Sequence, residues 1–176
     1  GRQADRLVGR RRLVTARALV ARPELLILDE PTTGLDPAAR HLLWQKLRQL
    51  KREGTTVVLT THYMDEAQRL CDRLVVIDHG KIIAQGSPAD LIRAHVGEDV
   101  VEVALEPDDH ERVAAALVAA GEHVERVPDM LLCYTKDGPA TLARVTAAAP
   151  PSAVCLLRRA SLEDVFLRLT GRRLSD

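Results

Sequence analysis

The stretch LLILDEPTTGLD, Leu25 to Asp36, decides how the chain is read. Leu25-Leu26-Ile27-Leu28 is a continuous aliphatic run, the pattern of a strand buried on both faces. Two acids, Asp29 and Glu30, leave its carboxyl end. Pro31 keeps a helix from starting at once, so Thr32-Thr33-Gly34-Leu35 reads as a loop that presents Asp36 outward. Asp36-Pro37 then opens a helix, with Asp36 as N-cap and Pro37 at the first helical position.

Working outward, this helix runs to about Glu53, buries Leu43, Leu47 and Leu50 at helical spacing, and closes at Gly54. Thr55 to Thr61 (TTVVLTT) is a second buried, β-branched strand. A short helix follows from about Met64 to Asp72. Upstream, Arg11 to Ala21 has helical spacing and ends at Arg22-Pro23. Downstream, Leu74–Ile77, a His79-Gly80 turn and Lys81–Ala84 form a hairpin. Ser87-Pro88-Ala89-Asp90 starts a further helix, and a domain boundary falls near Gly97-Glu98. Beyond it the pattern is strand (100–106), helix (110–120), strand (123–127), strand (131–135), helix (140–149), strand (154–158), helix (162–169). That βαββαβ order suggests a small ferredoxin-like α+β domain over 98–176, after a first domain over 1–97. No catalytic residue types cluster in this second part.

Two buried strands joined by one helix are expected to run parallel, so their carboxyl ends share one edge of the sheet. Ligands of open α/β sheets bind at that edge. Asp29 and Glu30 leave the first strand there and His62 leaves the second, 32 residues beyond Glu30. The set suits metal-nucleotide hydrolysis. Asp29 can hold Mg²⁺, a hard ion that takes oxygen ligands. Glu30 can orient an attacking water, and His62 can stabilise charge on a transferring γ-phosphate. Each residue also has an ordinary reading: Asp36 is fully explained as an N-cap, and a lone His after a strand is often a polar loop residue. Their order and spacing together carry the argument.

That combination, LLILDEPTTGLD with TTHYMDEA (Thr60 to Ala67), resembles the ATPase subunit of ATP-binding-cassette (ABC) transporters. The resemblance covers Arg11 to Val96 and implies the C-terminal half of a P-loop NTPase parallel sheet. It assigns Leu25–Glu30 to the Walker B strand and catalytic glutamate, Gly34-Leu35-Asp36 to the D-loop, and His62 to the switch histidine, with ATP and Mg²⁺ as cofactors. The tail SLEDVFLRLTGR (Ser161 to Arg172), with CDRLVVIDHGKI (Cys71 to Ile82), is similar to exporter ATPases of the daunorubicin-resistance and nodulation-factor (lipooligosaccharide) type. The resemblance thereby implies a dimer of ATPase subunits at the cytoplasmic face of the membrane. It would be attached only through an ABC-2-class permease and would export a drug, lipid or lipooligosaccharide.

Two departures bear on activity. No G-x-x-x-x-G-K-[ST] phosphate loop occurs in the 176 residues, and the chain opens at Gly1 rather than Met. The expectation is therefore a piece of a longer protein, with that loop before Gly1, that alone binds ATP weakly or not at all. The family's Leu-Ser-Gly-Gly signature, which grips the γ-phosphate bound by the opposing subunit, is reduced here to Leu7-Val8-Gly9 before three arginines. Gly9 is the remnant assigned to nucleotide contact. The alternative is an inactive or degenerate remnant that only binds partners. A non-transport relative acting on ribosomes or DNA ranks last, since tandem cassettes and long coiled coils are absent from the sequence.

Composition sets the bounds. Lys+Arg and Asp+Glu balance at 25 each, which gives no global case for nucleic acid or an anionic membrane surface. Arg10-Arg11-Arg12 lacks interleaved aromatics and reads as a solvated helix start. Three cysteines without ligand-like spacing read as reduced thiols. No apolar run approaches the length of a membrane span.

Overall fold

The structure, a computed structural model, describes residues 23–128 and 130–171. The expected helix at 11–21, the arginine run and Gly9 lie outside them. The described residues form eight strands and six helices, and the chain divides into two compact units, Gly1–Leu70 and Cys71–Asp176.

In the first unit, β1 (Leu25–Asp29) pairs in parallel with β2 (Thr56–Thr60), Leu25 opposite Thr56 and Asp29 opposite Thr60. The connection is α1 (Pro37–Arg52), and α2 (Met64–Leu70) follows β2. Asp36 caps α1 as expected, accepting a hydrogen bond from the Ala39 N–H at 2.8 Å. Gly54 ends the connection at φ +99, a conformation glycine adopts without steric cost.

Burial in β1 corrects the expectation of a strand covered on both faces. Leu26 and Leu28 pack against Trp44, Leu47, Leu50 and Leu70, whereas Ile27 is 69% exposed. The reason is that α1 covers one face of the β1–β2 pair, so side chains alternate between core and surface. Within α1 the buried set is Trp44, Leu47 and Leu50. Leu43 is only partly buried, a one-residue rotation of the expected face. Trp44 decides it: its indole N–H donates to the Glu66 carboxylate of α2 at 2.8 Å, and Glu66 is fully buried.

In the second unit, β3 (Leu74–Asp78) and β4 (Lys81–Gly86) form an antiparallel hairpin. Its turn residues His79 and Gly80 both have positive φ, +46 and +73, as a tight two-residue hairpin turn requires. α3 (Pro88–His95) begins at Ser87, whose hydroxyl accepts from the Asp90 N–H. It closes at Gly97, whose N–H donates to Ile92 O at 3.0 Å.

The rest is β5 (Asp99–Ala104), α4 (Pro107–Ala119), β6 (His123–Val127), β7 (Met130–Thr135), α5 (Gly138–Ala148), β8 (Val154–Arg159) and α6 (Leu162–Thr170). The four strands lie in the order β6-β7-β5-β8 with every neighbouring pair antiparallel, the arrangement expected of the βαββαβ pattern. Val101, Val103, Leu131 and Cys133 pack with Val113 and Leu117 of α4 and Val145 of α5 in one apolar core. On α6, Asp164 is 3% exposed. It accepts from both Arg158 Nη atoms at 2.7 and 2.8 Å and from the Ser161 N–H at 2.8 Å. Arg158 also donates to Glu102 at 2.6 Å, and these bonds hold its pKa above the usual arginine value despite partial burial. The expected boundary at Gly97 falls within this second unit, where α3 packs against α6. No described helix is long and apolar enough to cross a membrane.

Candidate functional site

The parallel register of β1 and β2 sets their carboxyl ends level and brings three of the expected residues together. Asp29 closes β1 directly opposite Thr60, and its carboxylate accepts the Thr60 hydroxyl. Glu30, the next residue, has φ +43, a left-handed conformation uncommon outside glycine. Its N–H holds it there by donating to Thr60 O at 3.0 Å and to Thr60 Oγ1 at 3.2 Å. Pro31 contributes by disfavouring right-handed helical backbone at the residue before it.

The backbone turn aims the Glu30 side chain at His62. Glu30 Oε1 lies 3.2 Å from His62 Nδ1, with the two side chains 43% and 38% exposed. The second carboxylate oxygen accepts the Thr33 hydroxyl at 3.0 Å. Glu30 is therefore gripped on both oxygens and still open to water. His62 rests against the Tyr63 ring, centroids 4.1 Å apart, and Arg40 of α1 stands 4.4 Å over that same ring.

Asp36 is placed at the cap of α1, while Gly9 is outside the described residues. Four further contributors escaped the sequence reading: Thr33, Thr60, Tyr63 and Arg40. Thr60 was within reach of counting, because the parallel register sets the last residues of the two strands side by side. The other three depend on loop and helix geometry that spacing does not reveal.

Among the described residues no group of three or more His, Cys, Asp or Glu side chains is placed to hold a metal ion. The oxygen set at the strand end, the Asp29 carboxylate beside the Thr60 hydroxyl, fits Mg²⁺ nonetheless. That ion keeps several waters and is bound through one or two carboxylates plus substrate phosphates rather than by an all-protein cage.

Two family descriptions match the chain: "Nodulation factor export protein NodI, C-terminal domain" over residues 110–171, and "AAA domain, putative AbiEii toxin, Type IV TA system" over 11–64. Among curated proteins, Nod factor export ATP-binding protein I of Ralstonia nicotianae is 52% identical over 171 residues, covering 95% of this chain and 53% of that protein. The protein of the same description from Burkholderia orbicola is 48% identical, covering 99% and 58%. The one from Rhizobium sp. is 46% identical, covering 98% and 57%. The chain spans about half the length of the curated relatives it matches. A solved structure described as the ATP binding subunit of an ABC transporter overlaps 43% of this chain and 32% of its own, at 37% identity and a TM-score of 0.40. On sequence likeness along nearly its whole length, the chain belongs to the ABC ATPase family.

Proposed function

We propose that this chain is the water-activating segment of an ATP-hydrolysing subunit of an ABC-type exporter. ATP would be cleaved at the β1–β2 edge when a phosphate-binding loop is supplied beside it. The observation that carries the proposal is the 3.2 Å approach of His62 to Glu30 at the carboxyl ends of two parallel strands. Glu30 accepts a hydrogen bond from water and aims its oxygen at the γ-phosphorus. As the new P–O bond forms, the water's proton passes to the Glu30 carboxylate and the bond to the β-phosphate oxygen breaks, its electron pair leaving with ADP. Thr33 and His62 fix the carboxylate so that little reorganisation is needed at that moment.

His62 has a second task. Its Nδ1 faces Glu30, which leaves Nε2 to meet an oxygen of the transferring phosphate and stabilise the negative charge there. Mg²⁺, held through Asp29 and the nucleotide phosphates, would supply further charge neutralisation. Asp36 is assigned to the D-loop, Gly9 to the remnant of the signature loop, and the working unit to a dimer. The dimer docks on an ABC-2-class permease at the cytoplasmic face of the membrane, exporting a drug, lipid or lipooligosaccharide. The relatives' description as Nod factor exporters supports the last of these most directly.

The test is His62→Ala in the full-length protein. Steady-state phosphate release should fall at least about tenfold while ATP affinity stays within about threefold. An unchanged rate would remove His62 from the mechanism.

A further inference from the structure

We propose that Arg40 and Tyr63 are positioning residues that hold the His62 ring against Glu30, and so tie the hydrolytic pair to the first turn of α1. The proposal rests on reading Glu30 and His62 as that pair. The contacts form an unbroken series across three elements. Glu30 Oε1 is 3.2 Å from His62 Nδ1, the His62 and Tyr63 centroids are 4.1 Å apart, and the Arg40 guanidinium is 4.4 Å from the Tyr63 centroid.

Each link is anchored in backbone. The Arg40 N–H donates to Asp36 O at 2.9 Å, one turn inside the cap of α1. The Tyr63 N–H donates to Thr61 Oγ1 at 3.0 Å, and Tyr63 O accepts from the Ala67 N–H at 3.2 Å, which fixes Tyr63 at the start of α2. His62, by contrast, lies two residues beyond Thr60, the end of β2, and has 38% of its side chain exposed. An exposed histidine in a loop samples several rotamers unless something narrows the choice. The tyrosine ring does so from one side, and the guanidinium keeps that ring in place.

Arg40 bears this out in its own chemistry. Among the described residues its Nε is buried without a hydrogen-bond partner, and the contact its guanidinium makes is with the ring face, where a planar cation stacks well. Because Arg40 sits one turn from Asp36, a displacement of the 31–36 loop would reach His62 through this stack.

Packing of α1 on α2 alone is the plainer reading, and the test separates the two. In the full-length protein, Arg40→Ala should shift the His62 ring resonances, assigned by their loss in His62→Gln, although Arg40 itself stacks on Tyr63 and not on His62. It should lower kcat about tenfold with the KM for ATP unchanged. Tyr63→Leu should do the same, and Tyr63→Phe, which keeps the ring, should restore both readouts. Unmoved His62 resonances in Arg40→Ala would overturn the proposal, as would a rise in KM with kcat intact. A wild-type protein that hydrolyses no ATP would refute the hydrolytic reading instead, and the resonances alone would then decide the positioning role.

Discussion

Thr60 makes three contacts at the end of β2: its carbonyl and hydroxyl both accept from the Glu30 N–H, and the hydroxyl donates to Asp29. It therefore offsets the strain of a non-glycine residue in the left-handed region, on the order of 1 kcal/mol. Thr60→Val keeps the strand preference and the carbonyl but removes the hydroxyl. It should destabilise the first unit by about 1 kcal/mol, measured by urea unfolding followed through Trp44, the one tryptophan in the chain. In the other unit, burial among apolar side chains, reinforced by the nearby Glu122 carboxylate, pushes the Cys133 thiol up to about 12. The thiolate is the reactive form, so Cys133 should resist iodoacetamide at pH 8 in the folded chain and react once urea is added. Rapid labelling of the folded chain at Cys133, seen by peptide mapping, would contradict its place in the core. Asp29, Glu30 and His62 were legible in the sequence because strand ends are easy to find in apolar runs. Tyr63 and Arg40 were not, because a ring stacked under a guanidinium leaves no spacing signature.

Helix α6 depends on a carboxylate. Asp164 accepts from Ser161 at the helix start and from both terminal nitrogens of Arg158. Removing it strands a partly buried guanidinium. Asp164→Ala should cost about 3 kcal/mol in urea unfolding followed by circular dichroism, whereas Arg159→Ala, at a side chain 76% exposed, should cost under about 1 kcal/mol. Comparable losses from the two would show that the Arg158–Asp164 pair has no special part. Most elements could be read from the sequence, with two instructive misses at helix starts. α4 begins at Pro107 rather than His110, and α5 at Gly138 rather than Ala140. Pro107 at the first helical position was a readable signal. The start of α5 follows from Asp137, whose carboxylate accepts the Ala140 N–H at 3.2 Å. The face of α1 was read one residue off because Leu43 and Trp44 both have helical spacing to Leu47. Only the Glu66 acceptor on α2 distinguishes them, and it comes from a different part of the sequence.

At the scale of the molecule, the described residues give the two units cores of different extent. The first rests on Leu26, Leu28, Trp44, Leu47, Leu50 and Leu70 beneath one face of a two-stranded pair. The second has a four-stranded sheet with α4 and α5 packed into its core. Trp44 belongs to the first unit alone. Its fluorescence should therefore report a urea midpoint below that of far-UV circular dichroism, which averages over both units, and coincident transitions would mean one cooperative unit instead. The sequence led us to expect a domain boundary near Gly97, where φ is +89 and an added Cβ would stand 2.9 Å from Thr135 O. It did not reveal that the preceding hairpin and α3 cluster with the later domain, since that grouping rests on contacts between distant segments.

In the proposed reaction the β1–β2 edge activates water for ATP cleavage, and Glu30 is the residue on which that activation depends. Its most direct test is phosphate release by Glu30→Gln in the full-length protein, with ATP affinity measured in parallel. The substitution keeps the size of the side chain and removes the charge that orients water. Turnover should fall by about a hundredfold or more with affinity within about threefold of wild type. Turnover retained at the wild-type rate would contradict the account.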